Sequence, residues 1–175
     1  MSTQEFEVPP PGKFALVFLV VIGVVMPLVV LSAIVLCARD DRVVLLAAPM
    51  ALVFPLVAGA IGWSIFRRKI RIVDKALLTG IFGWRKVPMS DLDLSAATIL
   101  DLQQHPELQP VFKLAGTSMP GYRSGWFRLR DKRTAYLLLT DWRRVLVVPR
   151  RNGGAILLSP QRPEALLDAL RRASA

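Results

Sequence analysis

The residues in this chain that could do chemistry are few, and most stand alone. The single histidine, His105, lies in the polar stretch "LQQHPELQP" directly before Pro106, a setting that suits a surface loop. The single cysteine, Cys37, closes a long apolar run and suits a small packing residue better than a reactive thiol. One histidine and one apolar-embedded cysteine cannot assemble a structural zinc site, which draws on four nitrogen and sulfur ligands. Asp91 and Asp93, two residues apart, imitate a carboxylate pair for acid–base work, but they follow "PMS", where a solvated turn accounts for them. The sequence holds no nucleophile-elbow motif, Walker A loop or dinucleotide fingerprint. The expectation is a protein that is not an enzyme, with no catalytic residue, no cofactor and no metal.

Binding chemistry is better represented. The run "MPGYRSGWFRLRDKR", Met119–Arg133, combines Tyr122 and Trp126 with five basic side chains, two glycines and a proline. Alternation along an extended strand places Phe127 and Leu129 on one face and Trp126, Arg128 and Arg130 on the other. Pro120 and Gly121 shape the entry, and Asp131–Arg133 turn the chain out again. The outward contact face expected here, for a partner or a lipid, is Tyr122, Arg123, Trp126, Arg128 and Arg130. Lys132, Arg133, Arg143, Arg144, Arg150 and Arg151 extend the basic surface along the later strands. Together with Trp126 and Trp142 this surface satisfies the crudest requirement of nucleic-acid binding. No nucleic-acid motif accompanies it, so nucleic acid is a poor fit. Arginine and tryptophan are also favoured at protein interfaces, which makes a protein partner or self-assembly the better expectation.

The elements that must carry these residues divide sharply by composition. Of 175 residues, 53% are hydrophobic, and the mean hydropathy of +0.44 is high for a soluble domain. Phe14–Ala38 and Val43–Phe66 run 25 and 24 residues without a charge, separated by the charged "RDDR". At 1.5 Å per residue each reaches roughly 36 Å, enough to cross the hydrocarbon layer. The reading is a transmembrane helical hairpin over residues 14–66, after a cytoplasmic tail, residues 1–13. Pro27, Pro49 and Pro55 interrupt the spans. Ala58 and Gly62 form a small-xxx-small pair that permits close helix approach. Lys13, Arg67, Arg68, Lys69 and Arg71 flank one side, against Arg39 and Arg42 on the other. The positive-inside rule then places both termini in the cytoplasm. Arg67, Arg68, Lys69 and Arg71 also form a membrane-proximal basic cluster that anionic lipid attracts.

Residues 67–175 carry 20 Lys and Arg against 9 Asp and Glu and read as one cytoplasmic domain. Short strand-like runs recur between turn signals: "RKIRIVD", "ALLTGI", a third strand near Trp84–Val87, Ala96–Leu102, "VFKLAGT", the Met119–Arg133 stretch, "TAYLLLT", "RVLVVP" and "AILLS". This rhythm describes an antiparallel sandwich or barrel. The ending "SPQRPEALLDALRRASA" is an amphipathic helix, with Pro163 at its start, Glu164 in the first turn and Arg171 and Arg172 in the last.

"VDKALLTGIFGWRKVPMSDL" and the later segment "GTSMPGYRSGWFRLRDKRTAYLLLTDWRRVLVVPRRNGGAILLSPQRPEALLDAL" resemble bacterial pleckstrin-homology-like domains, which often follow a pair of transmembrane helices. The resemblance covers roughly residues 67–170. It implies a mainly antiparallel β PH-like barrel capped by a C-terminal helix, serving binding and assembly. In related folds a headgroup sits at a long basic loop between the first two strands. The corresponding connection here, Asp74–Lys75, is too short to cradle a cluster of phosphates. The expected function is therefore an inner-membrane-anchored scaffold or adaptor, and the alternative is a sensor of anionic lipid headgroups.

Overall fold

The computed structural model describes residues 4–37, 49, 53–60, 62–63, 69–73, 76–79 and 85–174. The chain divides into two compact units, one formed by residues 11–67 and the other by residues 1–10 together with 68–175.

In the first unit, Lys13–Cys37 is one continuous apolar helix with a π-helical turn at Val21–Val25. Among the described residues it is the one helix long and apolar enough to cross a membrane. Less exposed positions recur along it every four residues at Ala15, Leu19, Gly23, Pro27 and Leu31, which draws one stripe along the helix. Residues 53–60 are also helical. A Cβ built at Gly23 would come within 2.1 Å of the Ala58 Cβ, and one at Gly62 within 2.9 Å of the Leu19 side chain. Steps of four in opposite directions, 19 to 23 against 62 to 58, describe antiparallel segments in close contact. The small pair Ala58 and Gly62 is thus used within the chain itself.

The second unit is a β-domain of two sheets closed by a helix. Its first sheet has the order β1 (Gln4–Glu7), β2 (Lys69–Val73), β3 (Ala76–Thr79), β4 (Arg85–Pro88), each antiparallel to its neighbour. The first strand corrects the sequence reading. Residues 1–13 read as a tail, yet Gln4–Glu7 pairs with β2 in the register Gln4↔Ile72 to Glu7↔Lys69. Glu5 and Arg71, directly opposite, form an ion pair at 2.8 Å, and the Gln161 N–H donates to the Glu7 carbonyl. A four-residue strand offers too short an alternation to be recognised alone. The expected reversal at Asp74–Lys75 and the glycine turn after Thr79 lie outside the described residues.

The second sheet has the order β5 (Thr98–Leu100), β9 (Val145–Pro149), β10 (Ala155–Leu158), β8 (Thr134–Leu139), β7 (Tyr122–Leu129), β6 (Pro110–Met119). Turn chemistry at "DWR" suggests that β9 returns beside β8. Instead β10 inserts between them, antiparallel to β9 and parallel to β8. This placement pairs both edges of β10 and leaves all four of its residues buried. Both faces of the central strands are covered, so their sequences read as continuous apolar runs rather than alternations. One face carries Phe127, Ala135, Leu137, Leu139, Val145, Val147 and Leu157, joined by Leu102 and Leu108. The other carries Leu138, Leu146, Val148, Ile156 and Leu158, all at 1% exposure or less.

The C-terminal helix, Pro163–Ser174, lies near β9 and the 3-10 turn Met89–Asp91, and buries Leu166, Leu167, Ala169 and Leu170. The backbone N–H of Glu164 itself and then Arg144 hold the Glu164 carboxyl below its ordinary range, as expected where a carboxylate meets a helix start. The mainly antiparallel domain with a terminal helix therefore matches the architecture expected from the sequence.

The β6–β7 hairpin has a glycine crossing. Gly116 and Gly125 face each other in the ladder and both have positive φ, 131° and 125°. A Cβ on Gly125 would fall 2.2 Å from the Ala115 carbonyl oxygen and 2.7 Å from the Gly116 Cα. No rotamer relieves a clash with backbone, and the dihedral itself excludes other residues. Gly125→Ala is expected to destabilise the domain by about 3 kcal/mol or more. Thermal unfolding of the purified full chain measures this, and an unchanged midpoint would contradict the crossing.

Candidate functional site

The Met119–Arg133 run forms the tip of this hairpin and the whole of β7. Met119 and Tyr122 pair across a two-residue turn, with Pro120 first and Gly121 second at φ 73°. Proline supplies the fixed φ and glycine the positive one, as a type II turn demands. At the other end Asp131 accepts from the Arg133 N–H at 2.9 Å and pairs with its side chain, while Lys132 adopts φ 70°. Both turns expected from the sequence are present.

The expected contact face divides. Phe127 and Leu129 enter the core, at 3% and 1% exposure, while Arg128 and Arg130 are exposed. Trp126 is partly exposed and meets Tyr136 edge-on, ring centroids 5.6 Å apart. Arg128 donates to the Lys132 carbonyl at 3.1 Å. Tyr122 lies on the same side of the strand as Trp126 and Arg128 but is not an exposed contact residue. It is 1% exposed, because the row on its side of the sheet, Ser124, Leu138, Leu158 and Leu146, is itself covered at this end. Alternation alone could not reveal that cover.

Arg123 is displaced in the other direction. Its cross-strand partner is Leu139, a core residue, so it shares the side of Phe127 rather than that of Trp126. Its guanidinium lies over the Trp142 ring, 4.8 Å from the centroid, and donates to the Pro110 carbonyl at 3.0 Å. Trp142 in turn packs against the core cluster. Burial alone depresses the Arg123 pKa below its ordinary value. Arg123, Trp142, Ser118 and Gly121 line a cavity of about 310 Å³ with the rest of the hairpin tip. The sequence marked Arg123 as a contact residue but gave no reason to join it with Trp142, nineteen positions on.

The other singled-out residues are accounted for. Arg71 pairs with Glu5, Lys69 begins β2, and Arg67 and Arg68 lie outside the described residues. His105 is half-buried, its Nδ1 3.0 Å from Glu107 Oε1. Asp91 receives Arg150 at 3.4 Å, whereas Asp93 receives the Ser95 hydroxyl, so each carboxylate secures a different loop. Among the described residues no group of His, Cys, Asp and Glu could hold a metal ion.

One surface escaped the sequence reading. The strand β6 is an edge of the six-stranded sheet, and on it Val111 and Phe112 are each 64% exposed and Leu114 47%. Phe112 stands opposite Arg128 in the ladder, so an aromatic ring and a cation share one exposed row. The signal lay in "VFKL", four residues with no polar alternation to give one strand face to water.

Residues 73–174 match the family model described as the bacterial PH domain. The match begins at the last residue of β2, so β1 and most of β2 precede it. No curated protein and no solved structure matches this chain.

Arg123 ties the hairpin to Trp142 and to the start of β6 through stacking and one hydrogen bond. Arg123→Ala is expected to cost about 1–2 kcal/mol of stability, and Arg123→Lys to recover only part, since lysine lacks the planar stack. Denaturant titration reads the difference; equal stability of all three forms would remove the tie.

Proposed function

This chain belongs to the bacterial PH domain family, and from that premise we propose that it is a membrane-anchored scaffold or adaptor, presenting its PH-like domain at the cytoplasmic face of a bacterial inner membrane to bind a protein partner. The observation that carries the reading is the pairing of β1 with β2. These strands flank the apolar region in sequence, so both ends of that region return to one sheet. A membrane-crossing segment with paired ends must cross an even number of times. Two uncharged runs, joined by the Gly23–Ala58 and Leu19–Gly62 approaches, supply two crossings. The excess of Lys and Arg beside β2 over the "RDDR" loop favours the cytoplasmic side.

The family premise and the scarcity of catalytic side chains favour binding over catalysis. The open edge of β6 is the surface best suited to it. A free strand edge offers backbone donors and acceptors to an incoming extended segment, and exposed Val111, Phe112 and Leu114 add apolar contact. A lipid-sensing role is the second reading, favoured by exposed Arg128 and Arg130 beside Phe112. Because β1 precedes the apolar region yet completes the sheet, either role is tested on the full chain rather than on residues 67–175.

Two outcomes are expected. A reporter fused after Ala175 reads as cytoplasmic, and alkaline phosphatase activity at that fusion would reject the orientation. Purification from native membranes under mild detergent brings down a stoichiometric protein with the wild-type chain, and Phe112→Asp reduces it about tenfold, consistent with losing one interface anchor. Undiminished recovery would rule out the β6 edge as the contact.

A further inference from the structure

Arg123 is a cation partly withdrawn from water that has no counter-ion among the described residues. Among the described residues it forms no ion pair; its contacts are the Pro110 carbonyl and the Trp142 ring. A guanidinium has five N–H donors, and one hydrogen bond to a carbonyl leaves most of them for water or a ligand. Partial burial of an unpaired charge is unfavourable, and an anion brought beside it recovers that cost. The cavity is there to admit one, at about 310 Å³, with Ser118 and Gly121 on its wall.

We propose that this cavity at the β6–β7 tip is a binding site for a single carboxylate, with Arg123 as the charged contact and Trp142 as the platform that fixes the guanidinium. Among the described residues that line it, Arg123 is the sole cation. One guanidinium balances a carboxylate in charge and matches its two oxygens in geometry. A phosphate dianion calls for further cations or a helix N-terminus, and the described lining residues supply neither. Stacking on Trp142 restricts the guanidinium to a plane, which lowers the ordering cost of a two-point contact.

The carboxylate has two possible sources, a small organic acid or an acidic residue of an extended peptide. The peptide source rests on the adaptor reading above, since Ser118 and Met119 on the cavity wall are the last residues of the open strand β6. The site itself does not depend on that reading.

The test uses the full chain in detergent micelles and follows the indole N–H resonance of Trp142, assigned by its loss in Trp142→Phe. Acetate is expected to shift it saturably, with the Trp126 indole as an internal reference that stays in place. Inorganic phosphate at matched ionic strength and pH is expected to leave it unchanged. Arg123→Gln should weaken the acetate response about tenfold or more, the usual loss for a charge-assisted hydrogen bond. Arg123→Lys keeps the charge and should retain part of it, which covers the case in which the glutamine variant fails to fold. A linear shift, an equal response to phosphate, or a response that persists undiminished in the folded Arg123 variants would overturn the proposal. Comparing acetate with the peptide Ac-Val-Glu-Val-NH2 separates the sources. Tighter binding of the peptide supports a protein partner. Equal or weaker binding keeps the carboxylate site and removes its link to the adaptor reading.

Discussion

The fold depends on one constraint, the need to pair both edges of β10. Ala155–Leu158 is too apolar to lie at a sheet margin, and its backbone groups cannot be buried without partners. Insertion between β8 and β9 satisfies both edges at once, at the expense of separating two strands that follow each other in sequence. Once β10 is central, β8 and β9 are central as well, and the apolar side chains of all three project to both sides of the sheet. Each side then needs a cover. Leu102 and Leu108 contribute to one, and the other face calls for apolar groups such as the stripe of Leu166, Leu167 and Leu170. A terminal helix lying near β9 is thus a requirement of the strand order rather than an appendage.

The same arrangement decides where binding can occur. Strands at the centre have no free backbone, which leaves, in the six-stranded sheet, the margins β5 and β6. The strand β5 is three residues long, a short edge of the kind that resists pairing. The strand β6 is ten residues long and carries exposed Val111, Phe112 and Leu114, but also Pro110, Lys113 and two register shifts. Those irregularities limit indiscriminate pairing along its length without closing the edge. The glycine crossing at Gly116 and Gly125 then separates the exposed part of β6 from the tip, where Arg123 turns toward the core side and Tyr122 is buried.

Much of this was legible in the sequence, and the failures have physical causes. The turns at Pro120–Gly121 and Asp131–Arg133, the inward Phe127 and Leu129, and the terminal helix all rest on local rules: proline and glycine dihedrals, alternation, and helix-end charges. Those rules act within a few residues and need no knowledge of the fold. The misplacement of Tyr122 has the opposite character, whereas Arg123, in step with Phe127 and Leu129, was assigned outward against the alternation itself. Alternation assigns a residue to a face but does not say which face is covered at which end, and that is settled by strands far away in sequence. The order of β8, β10 and β9 was hidden for the same reason, because a turn signal marks a reversal without naming the neighbour. Trp142 gained meaning only through a contact across nineteen positions.

The strand β1 is the hardest of these cases and the most consequential. "QEFE" has four residues, too few for a pattern, and its partner β2 lies beyond the whole apolar region. Its stability as a strand is borrowed from β2: four paired residues, the Glu5–Arg71 ion pair and the Gln161 hydrogen bond. An exposed ion pair contributes little by itself, so the ladder must provide most of the hold. Pairing across an insertion also limits what the insertion can do. Segments whose ends are fixed in one sheet cannot end on opposite sides of a bilayer, whatever their charge bias. Charge asymmetry and strand pairing are therefore independent constraints on the topology proposed above: pairing would require an even number of crossings, and the flanking Lys and Arg would bias their direction.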